Sequence, residues 1–388
     1  MKKAFLLVLF VLLTMSVSLM AQVVFSYEPS IVDAKGSALG RTTVLTTSGS
    51  NALFTNPGCL AMLEGKVFQG GMRFQFGSMK REYSGDEYSD DYEEKYPFHM
   101  KINHLSFAMP YKIQGSSMKT VFAVGYRTYY DWGYNRHYEE TDEGYDYEST
   151  YNQHGGLNTL TFGGGINFQD KFYAGLAMNI GVMGKVSWEE EYSEDGVTEE
   201  DDGDCTVKGS FFTLGCVYQA SPKMDLGFYY RPGFEVGYEY DGGGSNDVEV
   251  PSLFALSASY MMSDTFKFIF EYQNRGLGDY KEGSYDIYDV DNGYAIRLGA
   301  ELGTNFRAGY YMDSIPMSDT DSDGDSEKTP NPMMGFTLGS GVDINPQLSL
   351  DVFGEYAFTG YEDKESEYES TTSFSLFKIG VGFAYKIK

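Results

Sequence analysis

Histidine, cysteine and positive charge are what this sequence has least of. Four His leave little material for imidazole proton relays or metal sites. Three Cys (Cys59, Cys205 and Cys216) exclude a fully paired disulfide framework. Cys205 and Cys216 fall on what reads as one strand, about 36 Å apart if extended, too far to bond. Each Cys is therefore read as a small filler. Lys and Arg total 29 against 56 Asp and Glu, giving a net charge of -27. That balance excludes nucleic acid and anionic lipid surfaces as partners, because both need a basic footprint. After the N-terminus no apolar run approaches the roughly 20 residues of a spanning helix.

What is present is aromatic and glycine-rich: 33 Tyr, 28 Phe and 46 Gly. With little helix-forming pattern, this composition points to an all-β protein. The chain opens with basic Lys2 and Lys3, an apolar run from Ala4 to Leu13, and small residues Ser16, Ser18 and Ala21. This is the layout of a secretory signal peptide, residues 1–21, although Leu19 is imperfect for the −3 position of the cut.

From residue 66 the hydrophobicity alternates with period two, the repeat of a strand with two unlike faces. Phe122, Val124 and Tyr126 alternate with Ala123, Gly125 and Arg127, and Phe266, Phe268 and Phe270 with Lys267, Ile269 and Glu271. Fourteen such strands are expected. Short turns and long acidic connections alternate strictly between them, and the long ones include 85–95, 139–148, 189–204 and 319–327. A soluble sandwich has no reason for that asymmetry. An up-and-down transmembrane β-barrel does, and closure also removes its sheet edges. Residues 66–388 are thus expected to form a 14-stranded antiparallel barrel in the outer membrane of a Gram-negative-type bacterium. Tyr126, Tyr130, Phe172 and Phe358 are read as interfacial girdle residues.

Fourteen strands enclose a lumen wider than side chains can fill. Residues 22–65 have no place in the wall, so they are expected to plug it as a hatch. Asn56-Pro57-Gly58, followed by Leu60, would be its rigid turn, and Gly40 and Gly49 its joints.

Three stretches, 37–63, 250–280, and 293–316 with 329–356, resemble the FadL/TodX family of outer-membrane transporters for long-chain fatty acids and other hydrophobic compounds. Residues 37–63 are similar to that family's N-terminal hatch, with Gly58 and Cys59 departing from the usual turn. Residues 250–280 are similar to its Leu-Pro strand pair, and 293–316 with 329–356 to its last four strands. The resemblance implies passive uptake of a hydrophobic small molecule, fatty acids foremost. The substrate would be held in an apolar pocket and released sideways through the wall. The expected partners are that substrate and outer-membrane lipids, with no nucleic acid and no evident protein partner. The alternatives are a non-transporting barrel that acts as an interaction or secretion-accessory protein through its acidic loops, and a general polar porin.

Other constellations carry less. His104 and Ser106 share one strand face, but no spacing joins them to an acid, so no enzyme is expected. Asp319, Asp321, Asp323 and Asp325 begin like a Ca2+ loop, yet Pro330 stands where such loops carry a bidentate Glu. No other cofactor is implied. Lys267, Glu271, Arg297, Glu301, Arg307, Asp351 and Glu355 fall on inward positions of neighbouring strands and are read as ion pairs stiffening the wall.

Overall fold

The computed structural model describes Pro29 and residues 33–85, 89–112, 118–142, 145–169, 171–194, 197–283, 285–287, 290–303, 305–317, 328–365 and 368–387. Before the wall come a short helix, α1 (Ala34–Ala38), and two 3-10 turns, Gly49–Phe54 and Pro57–Met62. The wall begins with β1 (Lys66–Gly85), β2 (Ser89–Lys112), β3 (Lys119–Asp131), β4 (Tyr134–Asp142), β5 (Tyr145–Phe168), β6 (Phe172–Gly181) and β7 (Gly184–Glu194). It continues with β8 (Val197–Lys208), β9 (Ser210–Ser221), β10 (Met224–Arg231), β11 (Phe234–Tyr240), β12 (Ser245–Val250), β13 (Leu253–Ser263) and β14 (Phe266–Arg275). After the small hairpin β15 (Lys281–Glu282) and β16 (Tyr285–Asp286) follow β17 (Gly293–Leu302), β18 (Phe306–Ser314), β19 (Pro332–Asp343), β20 (Leu348–Glu365) and β21 (Tyr368–Ile387).

Five pairs of these segments (β3 with β4, β6 with β7, β8 with β9, β10 with β11, β12 with β13) are single wall strands interrupted once. Merging each pair, and setting the β15–β16 hairpin aside, leaves fourteen antiparallel strands. The first and last close the ring: β1 pairs β21 from Lys66↔Ile387 to Gly85↔Tyr368. The sheet therefore has no edge, as a hydrocarbon environment demands.

The faces follow the sequence alternation. Phe122, Phe162, Leu176, Leu214, Leu256, Phe336 and Leu338 point outward and are exposed, whereas Ala123, Ala177, Thr213, Ala255 and Thr337 point inward and are buried. An apolar outer surface with a polar, small-residue interior is the inverse of a soluble protein and is the transmembrane arrangement.

Two expectations are corrected. The acidic connections at 85–95, 139–148 and 189–204 are mostly paired strands, not loops. Glu189↔Asp202, Glu190↔Asp201 and Glu191↔Glu200 face one another across the β7–β8 hairpin. Like charges opposite each other cost a few tenths of a kcal/mol up to about 1. In water they are well solvated, and the backbone ladder prevails. The five interruptions were also not foreseen. They fall at Trp132-Gly133, Val182-Met183, Gly209, Pro232-Gly233 and Pro251-Ser252. The register (Asp131↔Gly156, Gly156↔Lys185, Gly184↔Val207, Arg231↔Leu253, Phe234↔Val250) sets them side by side at one height. The intervening β5 is continuous but carries Gly155 and Gly156 at φ 114 and 149, a conformation only Gly adopts easily. Six neighbouring wall strands thus bend along one line.

Candidate functional site: the occupied lumen and the broken wall

The segment from Asp33 to Met62 lies inside the barrel, tied to strands around its circumference. On the β14–β21 side the ties are ionic. Arg41 is 1% exposed and grips Glu355 in bidentate fashion, Nη2 to Oε1 at 2.6 Å and Nε to Oε2 at 3.3 Å. Its Nη1 reaches Asp313 at 3.1 Å, and its guanidinium stacks 4.1 Å from the Tyr311 ring centroid. Asp313 also receives Arg297 at 3.2 Å and Arg275 at 3.0 Å. Glu271 accepts the backbone N–H groups of Thr43 and Val44, both at 2.8 Å, and pairs Arg297 at 3.3 Å. Most of the expected wall charges do pair, Arg307 with Glu301 and Asp351 among them. The centre of the network, Arg41 with Asp313, was missed. The available signal was a single Arg in an otherwise uncharged run, since a lone charge there needs a buried partner.

On the β1–β10 side the ties are apolar and steric, with uncharged hydrogen bonds among them. Leu53, Phe54, Leu60 and Ala61 are at most 2% exposed and form a core with Val67, Ala108, Val121 and Val217. Burial stabilises each large side chain by about 1.5–3 kcal/mol. The wall beneath them is glycine. A Cβ on Gly175 would strike the Pro57 carbonyl, and one on Gly165 would lie 2.9 Å from Pro57 O and Ala61 N.

The expected turn residues all sit here. Asn56 accepts from Gly58 N at 3.1 Å and so caps the 3-10 turn that Pro57 begins. Its amide donates to Val44 O at 2.9 Å and to Cys216 O on the wall at 3.2 Å. A side chain on Gly58 would meet Gly215 O at 2.9 Å. Cys59 donates to Val44 O at 3.4 Å, and burial pushes its thiol up to about 12. All three cysteines are free. Gly40 and Gly49 both have positive φ, 69 and 75. Gly40 donates to Thr337 Oγ1 at 2.9 Å and lies against the Tyr310 backbone, while Gly49 abuts the Gln69 side chain.

Ser106 donates to Ser50 Oγ at 2.8 Å and Asn51 Oδ1 at 3.0 Å, and the His104 ring meets Phe54 edge-on at 5.9 Å. Both of these residues therefore face the plug. Asp319, Asp321, Asp323 and Asp325 lie outside the described residues.

Asp33 caps α1, accepting from Gly36 N at 3.1 Å. Burial, then nearby Asp351, raises its carboxyl from 3.8 to about 6. The raised value means that seating favours the protonated acid. The stabilisation is full below 3.8 and is lost as pH rises through about 6. The segment is expected to be looser at pH 8 than at pH 5 by about 1.4 kcal/mol, because one unit of the shift lies between pH 5 and the raised value of about 6. Bilayer recordings of opening frequency at the two values, repeated with Asp33→Asn, check this. A pH dependence that persists in the variant would move the cause elsewhere.

Above the plug, along the line of wall breaks, lies a second apolar cluster. It contains Tyr129, Tyr130, Trp132, Leu157, Phe211 and Val236, with Phe234 and Trp188 packed against it. Tyr130, expected in the outer girdle, is fully buried here instead. The cause is a bulge at Tyr129, where the pairing of β3 with β5 shifts register between Thr128 and Tyr130 and turns Tyr130 inward. A cavity of about 800 Å³ opens at the breaks, with Phe211, Phe212, Phe234 and Val250 among its apolar lining and the carboxylates of Glu235, Glu249 and Asp279 among its polar lining. Of its lining residues, Phe211 is buried and Phe212 exposed on the outer face.

This architecture matches solved structures closely in shape. A Pseudomonas aeruginosa FadL homologue superposes with a TM-score of 0.62 at 12% identity, covering 94% of this chain and 100% of that one. The chain has the FadL-type barrel fold. The Pseudomonas putida toluene transporter TodX matches at 0.60 and 12% identity, over 93% of this chain and 99% of that one. The CymD monoaromatic hydrocarbon channel matches at 0.52 and 14%, over 94% and 99%. No family model and no curated protein matches the chain by sequence.

Proposed function

We propose that this protein is a passive outer-membrane uptake channel for hydrophobic small molecules, long-chain fatty acids foremost, gated by its N-terminal segment. The observation that carries this reading is the cavity at the wall breaks, which meets the aromatic cluster at Phe211, Phe234 and Val250, together with a lumen that the Asp33–Met62 segment fills. A polar porin needs neither feature. The cavity takes the apolar ligand from the outside. The segment below denies it and water a straight path to the periplasm, and the bent strands offer a sideways exit into the hydrocarbon layer. No energy-coupling motif is visible in the sequence, so consumption of the ligand inside the cell draws the flux.

Deleting residues 33–65 tests the gate. The intact protein is expected to be closed in planar bilayers and the deletion variant to conduct ions as an open pore. Unchanged conductance would remove the gating role. Native mass spectrometry of the purified protein, with an acyl chain expected to co-purify, tests the ligand class.

A further inference from the structure

Charge is divided unevenly between the two ends of this barrel. The end with the long hairpins is acidic: Glu199, Glu200, Asp201 and Asp202 all stand exposed on β8. The end with the short turns is not. Among the described residues it exposes Lys66, Lys112, Lys171, Lys223 and Lys386 against Glu64, Asp264 and Asp343. The net charge of -27, which argues against an anionic lipid surface, is thus not the charge of this end. In an outer-membrane barrel the short turns face the periplasm, so this end meets the inner leaflet.

Two lysines there are set against each other. Lys112 and Lys119 are the last pair of the β2–β3 ladder and lie directly opposite one another. Like charges so placed repel. Neither lysine forms an ion pair among the described residues. The facing acids Glu191 and Glu200 are both exposed to water, whereas Lys119 is half-buried and both lysines line a cavity of about 750 Å³ at the rim. Its lining also includes Tyr111, Met118 and Gln219, with Glu64 the one carboxylate. Beside it runs an apolar stripe on the outward face. Tyr111 is 56% exposed, Phe122 55% and Met118 41%, and the Tyr111 and Phe122 rings lie 6.4 Å apart. A tyrosine at the strand end of such a stripe marks the level where lipid head groups begin.

We propose that Lys112 and Lys119 hold the phosphate of an anionic phospholipid of the inner leaflet, its acyl chains lying along Tyr111, Met118 and Phe122. A phosphate between the two ammonium groups replaces their repulsion with charge-assisted hydrogen bonds. Both lysines share the parity of buried Ala108 and Val121, so their stems start on the lumen side. The ladder ends at this pair, however, and a long lysine stem reaches past the rim to the head-group level. The site does not rest on the uptake reading, since a barrel that transports nothing would keep it.

Native mass spectrometry of the protein in a non-ionic detergent reads the site. The protein is titrated with phosphatidylglycerol and, separately, with phosphatidylcholine of the same acyl chains. Phosphatidylglycerol is expected to bind about tenfold or more tightly. Lys112→Gln/Lys119→Gln is expected to abolish that preference and leave phosphatidylcholine unchanged, whereas Lys112→Arg/Lys119→Arg keeps it. Lys171→Gln/Lys223→Gln removes as much charge from the same end and should also keep it. None of these lysines is buried, so the variants are expected to fold. Equal binding of the two lipids by the parent protein overturns the site. A preference that survives Lys112→Gln/Lys119→Gln, or is lost in Lys171→Gln/Lys223→Gln, overturns the assignment to this pair. Displacement of phosphatidylglycerol by equimolar inorganic phosphate would give the lysines to a soluble anion and overturn the lipid.

Discussion

Arg41→Met is expected to unseat the N-terminal segment while leaving the barrel intact. The substitution keeps most of the side-chain length but leaves Asp313 and Glu355 without their shared cation. Removing one member of a buried ion pair costs about 3–5 kcal/mol. Asp313 keeps Arg297 and Arg275, and Glu355 keeps Lys378 at 3.3 Å and the Tyr311 hydroxyl at 3.0 Å. The lower end of that range therefore applies. About 3 kcal/mol shifts the seated equilibrium by more than a hundredfold. Cys59 supplies the readout. Buried and held as a thiol in the seated state, it reacts slowly with maleimide. In a Cys205→Ser/Cys216→Ser background, Arg41→Met is expected to speed its labelling at least tenfold. Arg41→Lys should fall between, since it keeps the charge and loses the bidentate grip. Labelling no faster than in the parent would show that the ionic side does not hold the segment in place.

The second large effect is steric and comes from the opposite side of the lumen. Gly175→Val would drive a branched side chain into the Pro57 backbone, where no flexible side chain can give way. Overpacking costs about 1–3 kcal/mol where neighbours can relax, and here both are main chain. The Pro57–Met62 turn is expected to lift from the wall, giving faster Cys59 labelling and ion conductance in bilayers. Heat-modifiable migration on gels should be unchanged, because the outward face of β6 is untouched. If Cys59 stays protected, the turn does not depend on its glycine seat.

The wall was legible in the sequence because a two-sided strand writes its faces into alternate residues. Phe122 and Phe162 announced the outside, and Ala123 and Thr161 the inside. The plug was legible by default, as the stretch with no period. Neither the line of breaks nor the seat beneath the plug could be read in the same way. Pro232 and Pro251 cannot donate to a ladder, but nothing in the sequence ties them to Gly209 or Val182-Met183, which look ordinary. Only the pairing register shows that all of them share one height. The glycines beneath the plug carry no periodic signal either, since Gly175 and Gly215 resemble any small inward residue until Pro57 is placed against them. Arg127 and Arg231 look like ordinary lumen charges in sequence. Among the described residues neither meets a carboxylate, whereas the buried Arg41, Arg73, Arg275, Arg297 and Arg307 all do.

Closure of the wall by β1 and β21 constrains the order of assembly. The first strand carries the lumen-filling segment directly before it, at Lys66, and the last described residue, Ile387, pairs back to that point. Closing the final hairpin around the segment spares it from threading into a finished ring through one of its ends. The contacts of Arg41 span 272 and 314 residues of sequence, to partners on β18 and β20. Contacts of such separation form late. The same ion pairs that hold the segment can thus act as a checkpoint in biogenesis. A chain that reaches the membrane with Arg41 unpaired has an unfinished interior, and its last strands have a reason to wait.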